Sequence, residues 1–142
     1  MREDKALVVA AALMDDLSRP RKLLGAARSY PERWRGYFEF PGGKTEKGEG
    51  AEEALRRELR EELGVEIELG ELLPGQWEAH GGYRMKVFLC ALAPGNVARP
   101  GSSHLRLEWV AVEEAQRLPW LPADYPMLEA LQDYLGIEAA TG

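Results

Sequence analysis

The strongest helix signal in the chain is residues 51–63, which read AEEALRRELREEL and are followed by Gly64, a natural C-terminal stop. At about 100° per residue, this helix carries an apolar stripe on one side, which predicts a face packed on a core. Three glutamates border that stripe within an arc of about 100° and aim at one point: Glu58, Glu61 and Glu62. Like charges at this spacing repel by a few tenths of a kcal/mol per pair, so they need a compensating partner.

A hard divalent cation is the partner that converging carboxylates favour, because Mg²⁺ takes carboxylate oxygens and keeps several of its waters. The alternative is a solvated acidic face, and the loop before the helix argues against it. That loop, residues 41–50, reads PGGKTEKGEG, and its four glycines and one proline predict irregular structure. Glycines around a lysine let backbone groups approach a ligand closely, and a helix N-terminus favours anions. This combination indicates phosphate chemistry.

Length and charge limit the class of protein. The chain has 142 residues with 45% hydrophobic content, which predicts one domain over residues 1–142. Its formal charge of −6 leaves no basic footprint for long nucleic acid. The apolar run near the N-terminus is too short to span a membrane, and its charged start makes a poor signal peptide. With a single cysteine, Cys90, we expect a cytoplasmic protein, monomer or homodimer, with no membrane partner.

The rest of the chain predicts a mixed sheet with helices packed on it, in the α+β class. Gly81–Gly82 predicts a hairpin turn, residues 113–118 a short helical turn, and residues 127–136 an amphipathic helix. Apolar or alternating runs bounded by turn residues indicate strands. The predicted strands are 6–14, 22–28, 37–40, 65–73, 76–80, 83–92 and 104–112.

The loop and the helix together resemble the Nudix box. The family pattern is GX5EX7REUXEEXGU, with U an aliphatic residue, and every fixed position matches from Gly43 through Glu49 to Val65. The resemblance implies the Nudix α/β/α sandwich, a mixed sheet between helices. It also implies metal-dependent attack of water on a nucleoside diphosphate linked to another group.

The resemblance further implies roles for individual residues. Arg57 would orient the glutamates through ion pairing, with Glu49 as its expected partner. The general base differs across the family, so Glu58 and Glu62 stay alternatives for that role. Three side chains and one backbone carbonyl would hold one or more divalent metals, Mg²⁺ or alternatively Mn²⁺: Glu58, Glu61, Glu62 and Gly42.

The stretch YFEFPGGK, residues 37–44, resembles the MutT-type branch of the family, which sanitises nucleotide pools. That branch carries an arginine near the substrate, an extra acidic metal contact and an Asn or Asp that reads the base, which implies these roles for Arg28, Glu108 and Asp124. A surface acid at Glu108 and a helix N-cap at Asp124 are the alternatives. The candidate substrate-binding residues are Arg28, Glu39, Phe40, Lys44, Tyr83 and Asp124.

The chemistry of Asp124 bears on which base is bound. An ionised carboxylate only accepts hydrogen bonds, which suits the two adjacent donors of guanine or 8-oxoguanine. Cytosine places an acceptor beside its amino group, so it fits if the acid is protonated or a water intervenes. The aromatic candidates for stacking on the base are Phe40, Tyr83 and Trp120, with Phe40 preferred.

These features predict hydrolysis of 8-oxo-dGTP, dGTP or a CTP-like nucleotide to the monophosphate and pyrophosphate. Tyr83 keeps a dinucleoside-polyphosphate hydrolase as an alternative, because those enzymes often carry a tyrosine at about this distance after the box. An ADP-ribose hydrolase is less favoured, since Pro74 comes too early for the proline of that group. A non-catalytic nucleotide-binding module is disfavoured because the box retains all of its glutamates.

Overall fold

The computed structural model describes residues 7–140, except for the side chain of His80. Short 3-10 turns lie at Glu32–Trp34, His80–Gly82, Val112–Arg117 and Pro122–Asp124. Within the described residues, no helix is both long and apolar enough to cross a membrane. The strands and α-helices of this part are β1 (Val8–Met14), β2 (Lys22–Arg28), β3 (Phe38–Glu39), β4 (Gly42–Lys44), α1 (Ala51–Leu63), β5 (Ile67–Leu72), β6 (Trp77–Ala79), β7 (Tyr83–Leu92), β8 (His104–Ala111) and α2 (Tyr125–Leu135).

The strands form a mixed sheet whose two parts diverge. In one part, β1 lies parallel to β7 and antiparallel to β4, and β7 also pairs with β5 and β6. In the other part, β2 pairs antiparallel with β3 and β8. The parts are joined where Met14 of β1 lies opposite Leu23 of β2. Beyond that point β1 and β2 separate, and the gap between them positions the site described below.

The two helices cover opposite faces of the sheet. The apolar stripe of α1 packs on one face, and α2 packs on the other together with the large aromatic residues. This arrangement confirms the predicted α/β/α sandwich. The main helical contributors to the two cores are Leu55, Leu59 and Leu63 from α1, and Met127, Leu128 and Leu131 from α2.

Most predicted elements lie where the sequence placed them. Helix α1 has the predicted bounds, and Gly64 ends it in the left-handed conformation at φ 67° and ψ 33°. Strands β2 and β7 also match the predicted ranges. The strand predicted over 6–14 is β1, which begins at Val8, and residue 6 lies outside the described residues.

The prediction that residues 41–50 contain no regular structure is wrong for Gly42–Lys44, which form β4 against β1. Glycine has low intrinsic strand preference, but tertiary pairing overrides it here. A Cβ atom at Gly42 would overlap the carbonyl oxygen of Val9, so the absence of a side chain permits this close pairing. The glycines therefore serve backbone approach within the sheet as well as loop conformation.

Candidate active site

A cleft of about 370 Å³ opens where the two parts of the sheet separate. It contains all of the predicted substrate-binding residues and Gly42, contributed by β2, β3, β4, β7 and the turn before α2. A larger hollow of about 570 Å³ around Leu72, Trp77 and Arg84 contains none of them. The six substrate-binding predictions brought together in the cleft are Arg28, Glu39, Phe40, Lys44, Tyr83 and Asp124.

The three α1 glutamates and Arg57 are not among the residues that line the cleft, and two of the glutamates, Glu58 and Glu62, are partly buried beside β4. The Glu58 carboxylate lies so close to Gly43 that a Cβ atom there would overlap it. Burial, followed by the charges of Glu58 and Glu39, raises the pKa of Glu62 to about 8. Its Oε1 atom is buried and has no hydrogen-bond partner among residues 7–140. Glu61 differs, because 58% of its side chain is exposed.

Arg57 organises this end of the site. Its guanidinium donates two hydrogen bonds to Glu49, at 2.8 and 2.9 Å, which confirms the predicted ion pair. It also donates to Glu61 at 3.0 Å and to Glu58 at 3.3 Å. A further bond of 3.1 Å to the carbonyl oxygen of Lys44 ties the helix to β4. The hydrogen bonds from Arg57 hold the pKa of Glu49 at about 2, so Glu49 is a permanent anchor for the arginine.

The carboxylates at this end fit a hard divalent cation. As they stand, no three His, Cys, Asp or Glu side chains in the described part of the chain are gathered closely enough to ligate one ion. Glu58 and Glu61 are turned toward Arg57 instead. Nevertheless, a buried carboxylate oxygen without a partner is costly, and Glu62 carries one beside a second carboxylate. A cation with a preference for oxygen ligands would satisfy that atom.

The opposite end of the cleft contains Asp124, which is 5% exposed. Its Oδ2 atom accepts a hydrogen bond of 3.0 Å from the backbone N–H of Phe40. Burial raises the pKa of Asp124 to about 7, and the nearby charge of Glu39 acts in the same direction. Asp124 directly precedes α2, but across the described residues its side chain makes no capping hydrogen bond to that helix. Its carboxyl group is therefore held toward the cleft, and the N-cap alternative does not explain it.

The aromatic candidates differ in access to the cleft. Trp120 is 1% exposed and Phe40 is 3% exposed, with ring centroids 5.3 Å apart in the core. Stacking of a base on Phe40 stays a prediction, and its burial leaves little of the ring available. Tyr83 is partly exposed, and the Lys44 ammonium lies 4.3 Å from its ring centroid and 3.2 Å from its hydroxyl.

Glu39 lies between the two ends of the site and accepts a hydrogen bond from each of two side chains. Arg28 Nη1 contacts Oε1 at 2.8 Å, and His104 Nε2 contacts Oε2 at 2.9 Å. Arg28 also donates to the carbonyl oxygen of Tyr30 at 2.9 Å, which fixes its own orientation. The side chain of His104 is fully buried.

Comparison with known proteins agrees with this geometry. The model of the NUDIX domain matches residues 5–131. The chain belongs to the Nudix family. It is 35% identical over 136 residues to the CTP pyrophosphohydrolase of Escherichia coli strain K12, covering 96% of each chain. It is 32% identical over 137 residues to the putative 8-oxo-dGTP diphosphatase 2 of Mycobacterium tuberculosis, covering 94% of this chain and 93% of that one.

A solved structure gives the same result. The solution structure of the E. coli ORF135 protein matches with a TM-score of 0.71 and 36% identity, over 92% of this chain and 90% of that one. The predicted fold, family and MutT-type branch are confirmed, and the protein is a Nudix hydrolase.

Glu108 of this Nudix hydrolase does not lie where a metal ligand was predicted. It lies opposite Gly25 of β2. A Cβ atom on Gly25 would point toward Phe38 and Trp120, on the face of the sheet that α2 covers. Paired residues of neighbouring strands point to the same face, so Glu108 points away from α1. Its carboxylate binds Arg106 at 3.0 Å. The predicted metal contact finds no support in this geometry.

His104 is a site residue that the sequence interpretation missed. It lies 65 positions from Glu39, its partner in the cleft. A lone histidine at the start of a strand carries no spacing signal, and the only local hint is the serine- and glycine-rich segment before it. The pairing of β8 with β2 brings it within hydrogen-bond distance of Glu39.

Proposed function

We propose that this Nudix hydrolase cleaves nucleoside triphosphates to the monophosphate and pyrophosphate, with cytosine nucleotides preferred while Asp124 is protonated and guanine or 8-oxoguanine nucleotides as the second class. The observation that carries the choice of base is the buried Asp124 carboxyl in the cleft, with a pKa raised to about 7 by burial. Mg²⁺ is the expected ion, and Mn²⁺ is the alternative. A cytoplasmic location stays a prediction.

The phosphate end of the cleft supports this reaction type. A divalent cation held by Glu58, Glu61 and Glu62, with the Gly42 carbonyl, would neutralise charge on the phosphates and lower the pKa of the attacking water. Arg57 keeps Glu58 and Glu61 oriented through its anchor on Glu49. Lys44 projects its ammonium into the same cleft and supplies a charge-assisted contact for a phosphate oxygen.

A carboxylate at this end must also accept a proton from water. Glu62 is a candidate for this task, because its buried Oε1 atom has no hydrogen-bond partner among the described residues. Glu58, whose carboxylate lies against Gly43, stays the alternative.

The base end accommodates cytosine when Asp124 is neutral, whereas the ionised form disfavours it. A protonated carboxyl offers one donor beside an acceptor, and cytosine offers the complementary acceptor N3 beside its 4-amino donor. Because Oδ2 accepts the Phe40 N–H, Oδ1 is the oxygen that carries the proton. An ionised Asp124 would instead accept from both N1–H and the 2-amino group of guanine. The names of the two relatives, a CTP pyrophosphohydrolase and a putative 8-oxo-dGTP diphosphatase, cover both classes.

The test is a hydrolysis panel with Mg²⁺ at pH 7, with products resolved as monophosphate, phosphate or pyrophosphate. The substrates are CTP, 5-methyl-dCTP, dGTP, 8-oxo-dGTP, ADP-ribose and diadenosine tetraphosphate. We expect pyrophosphate release, fastest from a cytosine nucleotide. Faster cleavage of diadenosine tetraphosphate or ADP-ribose would contradict the proposal and favour the alternatives suggested by the sequence.

A pH series with two variants tests the role of Asp124 directly. In the wild type, the ratio of kcat/KM for CTP to that for 8-oxo-dGTP should fall as pH rises from 6 to 8.5. Asp124→Asn keeps one donor and one acceptor at every pH, so its ratio should not change with pH. Asp124→Ala should lose base discrimination while retaining hydrolysis, because it lies away from the phosphate end. A wild-type ratio that does not change with pH contradicts the assignment.

A further inference from the structure

We propose that His104 is a positioning residue that, together with Arg28, fixes the Glu39 carboxylate for contact with the nucleoside part of the substrate. The inference rests on the proposed function, because it takes Glu39 to contact a nucleotide. His104 does not itself line the cleft but contacts Glu39, which does, so it acts through that carboxylate.

A β-bulge places His104 within reach of Glu39. Strands β2 and β8 pair in regular register up to Ala27 opposite Arg106, and the next pair is Arg28 opposite His104. Leu105 is therefore the extra residue, and it is 42% exposed. Bulges next to sites re-aim side chains, and here the shift brings Arg28 and His104 to the same end of the sheet as Glu39.

Each of the two donors binds a different oxygen of the Glu39 carboxylate. Arg28 Nη1 contacts Oε1 at 2.8 Å and His104 Nε2 contacts Oε2 at 2.9 Å, so the group cannot rotate without breaking one contact. Each carboxylate oxygen can accept more than one hydrogen bond, so capacity remains on both for a ligand. A carboxylate only accepts, and therefore Nε2 is the nitrogen of His104 that carries a proton toward Glu39.

The other nitrogen of His104 indicates that stability is not the reason for this side chain. Nδ1 is buried without a hydrogen-bond partner among the described residues. A buried polar atom without a partner is unfavourable, and an apolar side chain of similar size would avoid that cost. The contribution of His104 therefore lies in its single hydrogen bond to Glu39.

Glu39 lies where its orientation affects ligand binding. It lines the cleft between Asp124 at one end and Gly42, Gly43 and Lys44 at the other. Its charge raises the pKa of both Glu62 and Asp124, as expected for a group located between them. A carboxylate at this position faces the part of a nucleotide that lies between the phosphates and the recognition edge of the base.

Three substitutions separate the hydrogen bond from packing. A glutamine amide nitrogen reaches the position of histidine Nε2, whereas an asparagine amide reaches only the position of Nδ1. His104→Gln should therefore keep near wild-type behaviour, and His104→Asn and His104→Leu should not. For the last two we expect KM for CTP, and the Kd of CMP measured by calorimetry without metal, to rise about tenfold, with a smaller change in kcat, as for loss of one charge-assisted hydrogen bond.

The same measurements in a Glu39→Gln background test whether His104 acts through Glu39. Coupled residues are not additive, so His104→Leu should add less than about twofold to the Kd of CMP in that background. An undiminished tenfold effect would overturn the positioning role. Equal impairment of folded His104→Gln and His104→Asn would overturn it too, and circular dichroism melting establishes that the variants are folded.

A measurement on the wild type keeps the inference testable if the variants do not fold. Long-range ¹H–¹⁵N correlation spectra report which ring nitrogen is protonated, and we expect Nε2–H, with a shift on addition of CMP. A ring protonated only at Nδ1, or unaffected by CMP and GMP, would overturn the inference. The two proposals fail separately, because absence of nucleoside triphosphate hydrolysis contradicts the proposed function, whereas hydrolysis with CMP binding unchanged in His104→Asn contradicts only the role of His104.

Discussion

The carboxyl groups of α1, which contact the cleft residues Gly42 and Gly43, differ in use from the carboxyl group at the base end of the cleft. At the α1 end, burial raises the pKa of Glu62 to about 8, one of its oxygens has no partner within residues 7–140, and a second carboxylate, Glu58, lies nearby. At the base end, burial raises the pKa of Asp124 to about 7, but a backbone N–H already binds one oxygen. The first arrangement is suited to gaining a cation, and the second to holding a proton.

The difference also concerns how each end is kept in place. Arg57 orients the α1 carboxylates from within the same helix, and its contacts reach Glu49 and the carbonyl of Lys44 nearby in sequence. The base end is held by hydrogen bonds between distant segments, such as Phe40 to Asp124. We therefore expect changes at the α1 end to affect turnover, and changes at the base end to affect selectivity and pH response.

The largest effect is expected for Glu62→Gln. The substitution removes a carboxylate that is proposed to bind the metal and to accept a proton from water, and we expect turnover to fall by at least about 100-fold. Stability without metal should be unchanged or slightly higher, because glutamine removes the cost of burying a carboxylate beside Glu58. Turnover, Mg²⁺ binding by calorimetry and thermal unfolding check these points. Glu52→Gln, an exposed position of α1, is the control, and retained turnover with a large loss of metal-free stability would refute the metal role.

The next effect concerns the arginine that orients the glutamates. Arg57→Lys keeps the charge but cannot bind Glu49 with two nitrogens while contacting Glu58 and Glu61. Loss of such a supporting contact should cost about 10- to 100-fold in Mg²⁺ affinity or kcat. Arg60→Lys is the matched control, because that arginine pairs with Glu66 on the exposed side of α1. Equal activities for the two variants would contradict the role of Arg57 in orienting the glutamates.

A smaller effect is expected from one methyl group on β4. In Gly43→Ala the new Cβ would overlap the Glu58 carboxylate and force it to move. Displacement of an aligned group should lower kcat by about tenfold. Gly50→Ala provides the comparison, since a Cβ there meets its nearest atom, Glu53 Oε1, at 3.5 Å. If both variants have wild-type kcat, Glu58 does not need its present position.

The comparison of the two ends also explains what could be predicted from the sequence. The α1 end is encoded by spacing within one short segment. Helical periodicity predicts that Glu58, Glu61 and Glu62 converge, and the resemblance to the family implies the roles proposed for them and for Arg57. The fold followed as well, because apolar runs bounded by turn residues mark β2 and β7, and helical periodicity with a glycine stop marks α1, with their observed bounds.

The base end could be predicted only in part. The resemblance to the family implied that Asp124 reads the base. Its burial and its hydrogen bond to Phe40, 84 positions away, depend on how α2 and β3 pack and could not be predicted. The role proposed for His104 depends on a bulge between β2 and β8, which has no signature in residue type. For Glu108, the sequence predicted the strand correctly but not the face of the sheet to which the side chain points.

The last expected effect concerns the pH dependence of folding stability at the base end and not turnover. The pKa of Asp124 is raised from 3.8 to about 7 in the folded protein, so the folded state keeps a proton that the unfolded state releases above about pH 4. Its contribution to stability is therefore complete below about pH 4 and is lost as pH rises to about 7. One proton corresponds to a slope of about 1.4 kcal/mol per pH unit, and Asp124→Asn should remove it.

Urea unfolding of the wild type, Asp124→Asn and the exposed control Asp133→Asn between pH 4.5 and 8 measures the difference. Glu58 and Glu62, whose pKa values are also raised by burial, contribute to all three proteins alike, so only the difference between curves is attributed to Asp124. Parallel curves for the wild type and Asp124→Asn would mean that the aspartate is ionised in the folded protein, and the cytosine preference would lose its physical basis.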